Sequence, residues 1–479
     1  LERPSFPDRV FDIRDYGAVG DGANINTAAI AKAISACANS GGGTVHIPPG
    51  LWLTGPIHLE SRVNLHAAEG ATIRFSTRFE DYLPVVFTRW EGIEVLNYSP
   101  LIYANGADNI ALTGSGTYDG QGEAWFPMRP WQKAEREKLW NSEANGIPVE
   151  QRIYGTVDGA LRPAMVQPIN CTNVLIEGPT FTRSPFWVIH PVYCDRLIIR
   201  DVRVDSHGVN NDGVDLDSCS NTLVERCDFM VGDDAVAIKS GRDADGWRVG
   251  RPSENIIVRH IRSTNGHGGV VIGSELSGGA RNIIFHDIYF KNTVTAIRIK
   301  SKIGRGGVIE DIWFKDVLVT GLRERPAIWL DALYASHTVQ PATSELTKFR
   351  NIHVENLASW GGERSIEIGA YPELPAENIT VEDVFMTADN GLVLENAVGV
   401  TFNKVNIIPH SEKGADLEPV MKIVNSRDVT ISGSRPFVGT NTFLRVDGAE
   451  SGNILLHDND LSRAARGVVL GPGVASNAV

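Results

Sequence analysis

The sequence predicts an all-β protein, a right-handed parallel β-helix (a solenoid) with an N-terminal capping helix. Short runs of alternating apolar and polar residues follow one another from Val45 onward, and the 48 glycines suit a chain with many turns. An asparagine recurs at the start of these runs, with 27 residues from Asn255 to Asn282 and again from Asn351 to Asn378. Short strands at such a repeat are typical of solenoids, in which each coil stacks on the next around an apolar interior.

Length, composition and charge limit the possible functions. The chain has 479 residues, of which 42% are hydrophobic, and we expect one domain over residues 1–479 because elongated all-β folds reach this size. The net charge of -13 argues against nucleic acid as a partner, and no apolar run is long enough to cross a membrane. The five cysteines are odd in number and lack metal-ligand spacing, so they predict no disulfide framework.

The N-terminal segment, residues 1–45, predicts a strand followed by a cap. Residues 11–22 have the pattern of a short strand and a glycine-rich turn, and Thr27 is expected to N-cap a helix that ends near Ala38. Such a helix would cover the open end of the solenoid, where exposed strands invite aggregation. The chain does not begin with methionine, so we expect that a signal peptide has been removed and that the protein is periplasmic or extracellular.

Two segments interrupt the repeat. Residues 119–163 contain three tryptophans and many charges, and are predicted to be an inserted, partly helical loop region. Residues 241–254, which include Arg242 and Trp247, lengthen the coil directly after Lys239. Long segments without repeat character are usually functional or disordered. For Trp247, a packing role and a ligand-binding role both remain open.

The most informative stretch runs from Val209 to Ser240, where two apolar pairs align with an offset of 22 residues: Val214 with Val236, and Leu216 with Ile238. This alignment places polar residues of one coil over those of the next: Asp212 over Asp234, Asn211 over Asp233, and Asp217 over Lys239. Because parallel strands lie about 4.8 Å apart, residues in one column become neighbours.

Two later segments extend the same pattern. His267 falls in the column of Asp233, and Arg298 and Lys300 lie outward one coil further along. Most aspartates in turns only satisfy backbone groups. Three crowded carboxylates, however, cost stability without a compensating use, which favours a functional site.

The gathered residue types suit hydrolysis of a glycosidic bond. One carboxyl stays protonated as the acid while another, ionised, activates water, and crowding raises the pKa of at least one of them. Arg298 and Lys300 point the same way and are predicted to hold a substrate carboxylate. The alternative is a charge partnership with Asp217, Lys239 or Asp331.

Four short motifs resemble the signatures of the polygalacturonase family, glycoside hydrolase family 28, in the order in which that family has them. They are Asn210-Asn211-Asp212, Gly232-Asp233-Asp234, Gly266-His267-Gly268 and Arg298-Ile299-Lys300. Asn211 stands where many polygalacturonases carry threonine, a minor departure. The likeness covers most of the chain, and four ordered motifs make it highly specific.

The resemblance implies hydrolysis of α-1,4-galacturonosidic bonds with inversion, and no cofactor or metal. It implies that Asp233 is the general acid, that Asp212 and Asp234 activate the attacking water, and that His267 assists. Three further residues resemble those that bind a galacturonate carboxylate or contact the neighbouring sugar: Arg298, Lys300 and Tyr334.

Exo action is the expected mode. The segments at 240–246 and 273–279 resemble those of bacterial exo-acting members, and we expect Arg242 and Trp247 in the lengthened coil to cover the terminal sugar. The expected partner is a galacturonate-containing pectic poly- or oligosaccharide, bound by a monomer without membrane insertion. Four alternatives stay open: an endo-polygalacturonase, a rhamnogalacturonan hydrolase, a pectate lyase on the same kind of solenoid, and a non-catalytic carbohydrate-binding adhesin.

Overall fold

The computed structural model describes residues 1–156, 161–334, 343–410 and 418–479. The predicted fold class, a right-handed parallel β-helix, is confirmed. The chain divides into two compact units, Leu1–Arg262 and Ser263–Val479, and each is built from stacked parallel coils. The single domain over residues 1–479 stays a prediction.

The first unit contains these strands: β1 (Val10–Asp12), β2 (Asp21–Ile25), β3 (Gly43–Ile47), β4 (Gly50–Thr54), β5 (Ile57–His58), β6 (Val63–Ala67), β7 (Ala71–Phe75), β8 (Val86–Trp90), β9 (Ile93–Asn97), β10 (Ile102–Asn105), β11 (Asp108–Thr113), β12 (Thr117–Asp119), β13 (Val166–Ile169), β14 (Thr172–Glu177), β15 (Thr180–Thr182), β16 (Asp195–Arg200), β17 (Arg203–Ser206), β18 (Val214–Asp217), β19 (Ser220–Glu225), β20 (Asp228–Val231), β21 (Val236–Lys239) and β22 (Ser253–Thr264). Its α-helices are α1 (Thr27–Asn39), α2 (Arg129–Trp140) and α3 (Asp243–Val249).

The second unit contains these strands: β23 (Gly268–Gly273), β24 (Ala280–Lys291), β25 (Thr295–Lys300), β26 (Val308–Leu322), β27 (Ile328–Asp331), β28 (Lys348–Gly361), β29 (Arg364–Gly369), β30 (Ala376–Ala388), β31 (Asn390–Glu395), β32 (Ala397–Pro409), β33 (Met421–Val424), β34 (Arg427–Ser432), β35 (Thr440–Asp447), β36 (Gly452–His457) and β37 (Ala464–Leu470). None of the α-helices described for either unit is long and apolar enough to cross a membrane.

Parallel ladders build the walls of each unit. In the first unit one ladder runs β1-β3-β6-β11-β14-β16-β19-β22 and a second runs β2-β4-β7-β12-β15-β17-β20. In the second unit one ladder runs β23-β25-β27-β29-β31-β33-β35-β37. Each step along a ladder is one coil, so a residue column on the outer face continues from coil to coil.

The predicted asparagine stacking is present at the turns. Asn378 donates to the side-chain oxygen of Asn351 (2.8 Å), and Asn255 donates to that of Asn221 (3.2 Å). All four residues have a positive φ between 49° and 57°. Asparagine tolerates this left-handed conformation better than most residues, which explains why it recurs where each coil turns.

Helix α1 forms where the sequence predicts it and buries one apolar face, including Ile30 and Ile34. The predicted N-cap is wrong by one residue, because Asn26 occupies the N-cap position and Thr27 is the first helical residue. The hydroxyl of Thr27 accepts a hydrogen bond from the Gly55 amide (2.6 Å), so it serves a tertiary contact.

Both interruptions of the repeat lie in the first unit. Residues 119–163 are partly helical as predicted, since they contain α2 and three short 3-10 turns; residues 157–160 lie outside the described residues. The lengthened coil after Lys239, expected to be a loop, forms the seven-residue helix α3. All five cysteines are buried and free, which agrees with the predicted absence of a disulfide framework.

Candidate active site

The predicted column register of the first unit is confirmed. β18 and β21 pair in parallel, with Val214 opposite Val236, Leu216 opposite Ile238 and Asp217 opposite Lys239. The apolar residues of both strands are fully buried. One residue before β18, the Gly213 amide donates to the carbonyl of Asp234 (2.9 Å), which extends the alignment to the aspartates.

An acidic cluster, which we define as Asp212, Asp233 and Asp234, forms at this edge of the ladder. One carboxylate oxygen from each residue lies within 4.8 Å of the others. Asp212 and Asp234 are almost entirely buried, whereas Asp233 is half-buried. The carboxyl groups predicted to gather do so, and Asp233 is the one most accessible to a ligand.

Burial governs the electrostatics of the cluster. It raises the pKa of Asp212 well above its usual range, and the neighbouring Asp215, Asp233 and Asp234 raise it further, against the opposing charge of Lys239. Oδ1 of Asp212 is buried without a hydrogen-bond partner among the described residues. The cluster therefore holds a proton at a pH where isolated aspartates are ionised.

Lys239 supplies positive charge beside the cluster. Its Nζ lies 3.8 Å from Oδ1 of Asp215 and 4.6 Å from the centre of the Trp187 ring. Asp217 accepts hydrogen bonds from Arg89 (2.9 Å), and one of its oxygens lies 3.1 Å from His190 Nε2. Each of these charged groups is buried, so their positions are fixed by pairing.

The turn that leads into Asp212 is anchored by two fully buried side chains. Asn211 accepts from Ser206 Oγ (2.7 Å) and the Gly208 amide (2.8 Å), and it donates to two backbone carbonyls. Its amide is thus committed to holding the turn. Arg162, which sequence reasoning missed, donates to Asn210 Oδ1 (2.8 Å) and to two carbonyls, those of Val209 and Pro185.

Arg162 also ties the turn to helix α2, because its Nε donates to Gln132 Oε1 (3.0 Å). Burial and, second to it, the nearby Arg129 together lower the pKa of Arg162 to about 10. Its position in a segment without repeat character leaves no periodic signal by which the sequence could have marked it. Arg162 therefore links helix α2 to the turn that precedes Asp212.

A second group of charges joins the two interruptions, and we call it the clasp: Glu91, Glu94, Arg152, Arg242 and Asp245. Asp245 of α3 is fully buried and accepts from Arg152 (2.6 Å) and from the Glu94 amide (3.0 Å). Glu94 lies in the β8–β9 hairpin, and Arg152 follows α2. The hairpin, the α2 segment and α3 are therefore held together.

Arg242, predicted to contact substrate, is part of the clasp. Its Nε donates to the Glu91 carbonyl (2.9 Å), and its guanidinium stacks on the Trp140 ring at 4.0 Å. The side chain is buried. Trp247 is half-buried on α3. Substrate contacts of both residues stay a prediction.

The cations of the second unit lie on β25. Arg298 and Lys300 both face the Tyr334 ring, at 5.0 and 5.4 Å from its centre. Arg298 also stacks on Trp329 at 3.9 Å and donates to Asp331 Oδ2 (2.7 Å). Tyr334 thus joins the two predicted cations, and the charge partnership with Asp331 is present as well.

His267 lies in the second unit, in the turn before β23. Its side chain is exposed, and its carbonyl accepts from the Thr295 amide (2.9 Å). The preceding Gly266 has φ of 88°, a conformation that favours glycine. The turn therefore presents the imidazole to solvent.

The acidic cluster has two chemical uses. Three carboxylates this close could bind a divalent cation, which prefers oxygen ligands. Alternatively, a proton shared among them allows one carboxyl to act as an acid while another accepts a proton from water. The neighbouring Lys239 and the raised pKa of Asp212 favour the second use, because both reduce the negative charge that would attract a cation.

The chain resembles known proteins over most of its length. A family model described as "Glycosyl hydrolases family 28" matches residues 37–404. A probable polygalacturonase of Vitis vinifera is 31% identical over 385 residues, which cover 77% of this chain and 73% of that protein. An exo-poly-alpha-D-galacturonosidase of Dickeya chrysanthemi is 25% identical over 75% of this chain and 64% of that protein.

Among solved structures, a hyperthermoactive exopolygalacturonase from Thermotoga maritima aligns with a TM-score of 0.80 and 39% sequence identity. The alignment covers 84% of this chain and 93% of that chain. The resemblance drawn from the four motifs is confirmed by these matches. The roles of individual residues stay predictions.

We predict that Asp212→Asn raises the melting temperature at pH 7 by roughly a few degrees. Because the native state binds a proton at Asp212 more tightly than the unfolded chain does, wild-type stability falls as the pH rises above the ordinary pKa of aspartate, about 3.9. The amide of the variant does not ionise and so avoids this loss of stability. The difference in melting temperature between the variant and the wild type should therefore shrink as the pH is lowered toward about 4. Thermal unfolding followed by circular dichroism at both pH values measures it.

Asp201→Asn is the matched control of opposite sign. A hydrogen bond from Arg226 (2.8 Å) lowers the pKa of Asp201, so this variant should lose stability at pH 7 and lose less at low pH. A lower melting temperature for Asp212→Asn at pH 7 would show that the native protein stabilises Asp212 as an anion, contrary to the electrostatics described above.

Proposed function

The chain belongs to family 28 of the glycosyl hydrolases, and we propose that within this family it releases single galacturonate units from the ends of pectic galacturonan chains, with inversion. The observation that carries the proposal is the acidic cluster, whose carboxylate oxygens lie within 4.8 Å of one another beside Lys239. Hydrolysis of a glycosidic bond needs one protonated and one ionised carboxyl. A buried cluster that retains a proton meets both needs.

We assign the acid role to Asp233. It is the most accessible member of the cluster and so the one able to reach the glycosidic oxygen. Asp212 and Asp234 are the buried pair that activates water, and Lys239 stabilises their charge. Burial raises the pKa of Asp212, and a carboxylate oxygen of Asp233 lies within 4.8 Å of one of Asp212, so a proton held at Asp212 can pass to Asp233 when a sugar covers the cluster. His267 assists, on the strength of the family likeness.

Arg298 and Lys300 are proposed to bind the carboxylate of a galacturonate. Their positive ends converge on the Tyr334 ring, and Arg298 is held by Asp331 at 2.7 Å. An ion pair that orients a cation prepares it for a second anion, and the Tyr334 ring offers a flat apolar surface for the sugar.

The clasp supports exo action. Helix α3 begins four residues after Lys239, and α2 is tied through Arg162 to the turn before Asp212. Buried ion pairs hold the two helices and the β8–β9 hairpin together, so this side of the acidic cluster is bounded by rigid structure. A site bounded on one side accepts a chain end and excludes the middle of a polymer. Arg242 and Trp247 are proposed to contact the terminal sugar.

We further propose that the protein acts as a monomer in the periplasm or outside the cell, where pectic polymers are encountered. The roles assigned here need no metal or cofactor. Calcium-dependent elimination, the chemistry of the rival lyase, would instead need a cation at the acidic cluster.

Asp233→Asn is expected to abolish turnover with the fold intact, because an amide cannot donate the proton to the leaving oxygen. Asp212→Asn and Asp234→Asn should each lower kcat by about 10²–10⁴. Release of reducing sugar from polygalacturonate, measured with EDTA present and with absorbance of unsaturated uronides followed in parallel, gives the rates.

Asp228→Asn serves as the isosteric control, because Asp228 is an outer residue of β20 whose side chain is 42% exposed. Near-normal turnover in the Asp233 variant would remove that residue from the mechanism. Loss of all activity in EDTA, or an unsaturated product, would point to elimination instead.

Lys300→Met should raise KM for acidic oligogalacturonides at least tenfold while leaving methyl-esterified ones much less affected, because only the acid offers a carboxylate to the cation. Initial rates on both substrate series measure the split. Lys315→Met is the control: Lys315 lies on β26 and forms an exposed ion pair with Glu355 on β28. This variant should change the KM for neither substrate series. Equal losses on both series would indicate that Lys300 has a structural role.

The wild-type enzyme should liberate much reducing sugar from polygalacturonate while the solution stays viscous, with monomer as the first product. Viscometry and product sizing on the same samples test this. Shortening α3, whose Asp245 holds the clasp, should shift the products toward internal fragments. Early collapse of viscosity in the wild type, with mixed oligomers ahead of monomer, would overturn exo action.

A further inference from the structure

We propose that the second unit carries a separate anion-binding site, on β33 to β37, which binds a distant part of the same galacturonan chain whose end is being cleaved. We call it the distal site and define it by Lys422, Arg445 and Arg466. The inference rests on the proposed function for the identity of the polyanion. The site itself follows from a cavity, a charge pattern and a column register, all within residues 263–479.

The cavity at the distal site has a volume of about 340 Å³. Lys422, Arg445, Arg466 and the acid Glu418 line it, with Asn441 and Thr442 as additional polar groups. Ligand pockets in proteins commonly range from about 300 to 1,000 Å³. The cavity is therefore large enough to take one sugar ring, and its polar groups are mostly hydrogen-bond donors.

Positive charge exceeds negative charge at this cavity. Arg445 donates two hydrogen bonds to Asp447 (2.8 and 3.0 Å), and Lys422 reaches the same carboxylate at 3.8 Å. Arg466 is exposed and forms no ion pair with the described residues. Three cations thus face two carboxylates at the cavity, Asp447 and Glu418, and Glu418 also contacts Arg364 (3.1 Å). In a chain of net charge -13, this local excess favours an anionic ligand.

The distal site lies in the same outward column as Arg298. Successive strand pairings align Arg298, Trp329, Glu367, Val393, Lys422 and Arg445. Lys422 is four strands from Arg298, which corresponds to about 19 Å at the usual strand spacing. Both groups of cations thus lie on one face of one ladder.

Between Arg298 and Lys422 the column itself holds one acid, Glu367 on β29, while Asp331 and Glu395 lie in the adjacent column, that of Lys300. Asp331 accepts from Arg298, and Glu367 lies 3.4 Å from Arg364. Burial also raises the pKa of Glu367. A chain with a carboxylate on every sugar can therefore follow this face from Arg298 to the distal site without meeting an unpaired acid in the column.

A second contact of this kind adds affinity only for chains long enough to reach it. Once the end is bound, the distal contact is intramolecular and benefits from a high effective concentration. Oligomers too short to reach the distal site gain no affinity from it. The distal site would thus favour long galacturonan chains over the products of their degradation.

Lys422→Gln/Arg466→Gln tests the proposal, with Lys315→Gln/Lys404→Gln as the control. Both variants remove two positive charges from the second unit, but Lys315 and Lys404 lie on β26 and β32, which belong to a separate parallel ladder, β24-β26-β28-β30-β32-β34-β36. We expect the first variant to raise KM for long polygalacturonate about tenfold, as the loss of two screened ion pairs would, with kcat and the KM for digalacturonate unchanged. The control should change none of these values. An unchanged KM for long chains, or an equal rise for digalacturonate, would overturn the distal site.

Binding without turnover separates this inference from the proposed function. Affinity electrophoresis through gels containing polygalacturonate should retard the wild type and the control more than Lys422→Gln/Arg466→Gln, whether or not the protein cleaves the polymer. Inorganic phosphate at equal ionic strength and fully methyl-esterified polymer are the comparison ligands. If inorganic phosphate removes the difference in retardation between the wild type and Lys422→Gln/Arg466→Gln, the site binds small anions only and the proposal is rejected. Equal retardation of the wild type, the variant and the control would also reject the proposal.

Discussion

The parallel pairing of β18 with β21, extended by the hydrogen bond from the Gly213 amide to the carbonyl of Asp234 (2.9 Å), joins neighbouring coils at the acidic cluster and sets Asp212 beside Asp234. Coils come this close only because the intervening residue is glycine: a side chain on Gly213 would begin 2.5 Å from the Ala235 carbonyl oxygen. Parallel register then fixes which residues become neighbours. One slipped residue would turn the aspartates toward the interior.

Holding three carboxyls together is unfavourable, and the surrounding structure offsets that cost in two ways. Lys239 places positive charge next to Asp215 and near Asp212, while burial keeps a proton within the cluster. Asn211 and Arg162 hold the turn itself through hydrogen bonds to neutral oxygens, so they add rigidity without neutralising the carboxyls. The site is thus rigid, and burial together with the mutual repulsion of its carboxyls raises the pKa of Asp212, as suits a site that transfers protons.

The two units use charge differently. In the first, buried ion pairs such as Arg152 with Asp245 join segments that are far apart in sequence and give the site a firm boundary. In the second, cations such as Arg298 and Lys422 lie along one outward column, where they are only partly buried. Buried pairs that lose a partner are costly, whereas exposed pairs exchange partners easily. Buried ion pairs therefore suit a rigid boundary, whereas partly exposed cations suit a surface that binds anions.

The amino-acid sequence alone determined the fold, the register of β18 on β21 and the shared column of Asp212 and Asp234, because the alternation of apolar residues fixes which face of a strand is buried, and the same offset aligns the neighbouring polar residues. It placed Asp212 beside Asp234 and pointed Arg298 and Lys300 the same way. The tertiary structure decided what periodicity does not encode: that Arg242 stacks on Trp140, that Arg162 anchors the turn before Asp212, and that Asp245 joins α3 to the β8–β9 hairpin. These contacts lie in segments without repeat character, where a side chain's partner is set by the three-dimensional path of the chain rather than by its spacing along it.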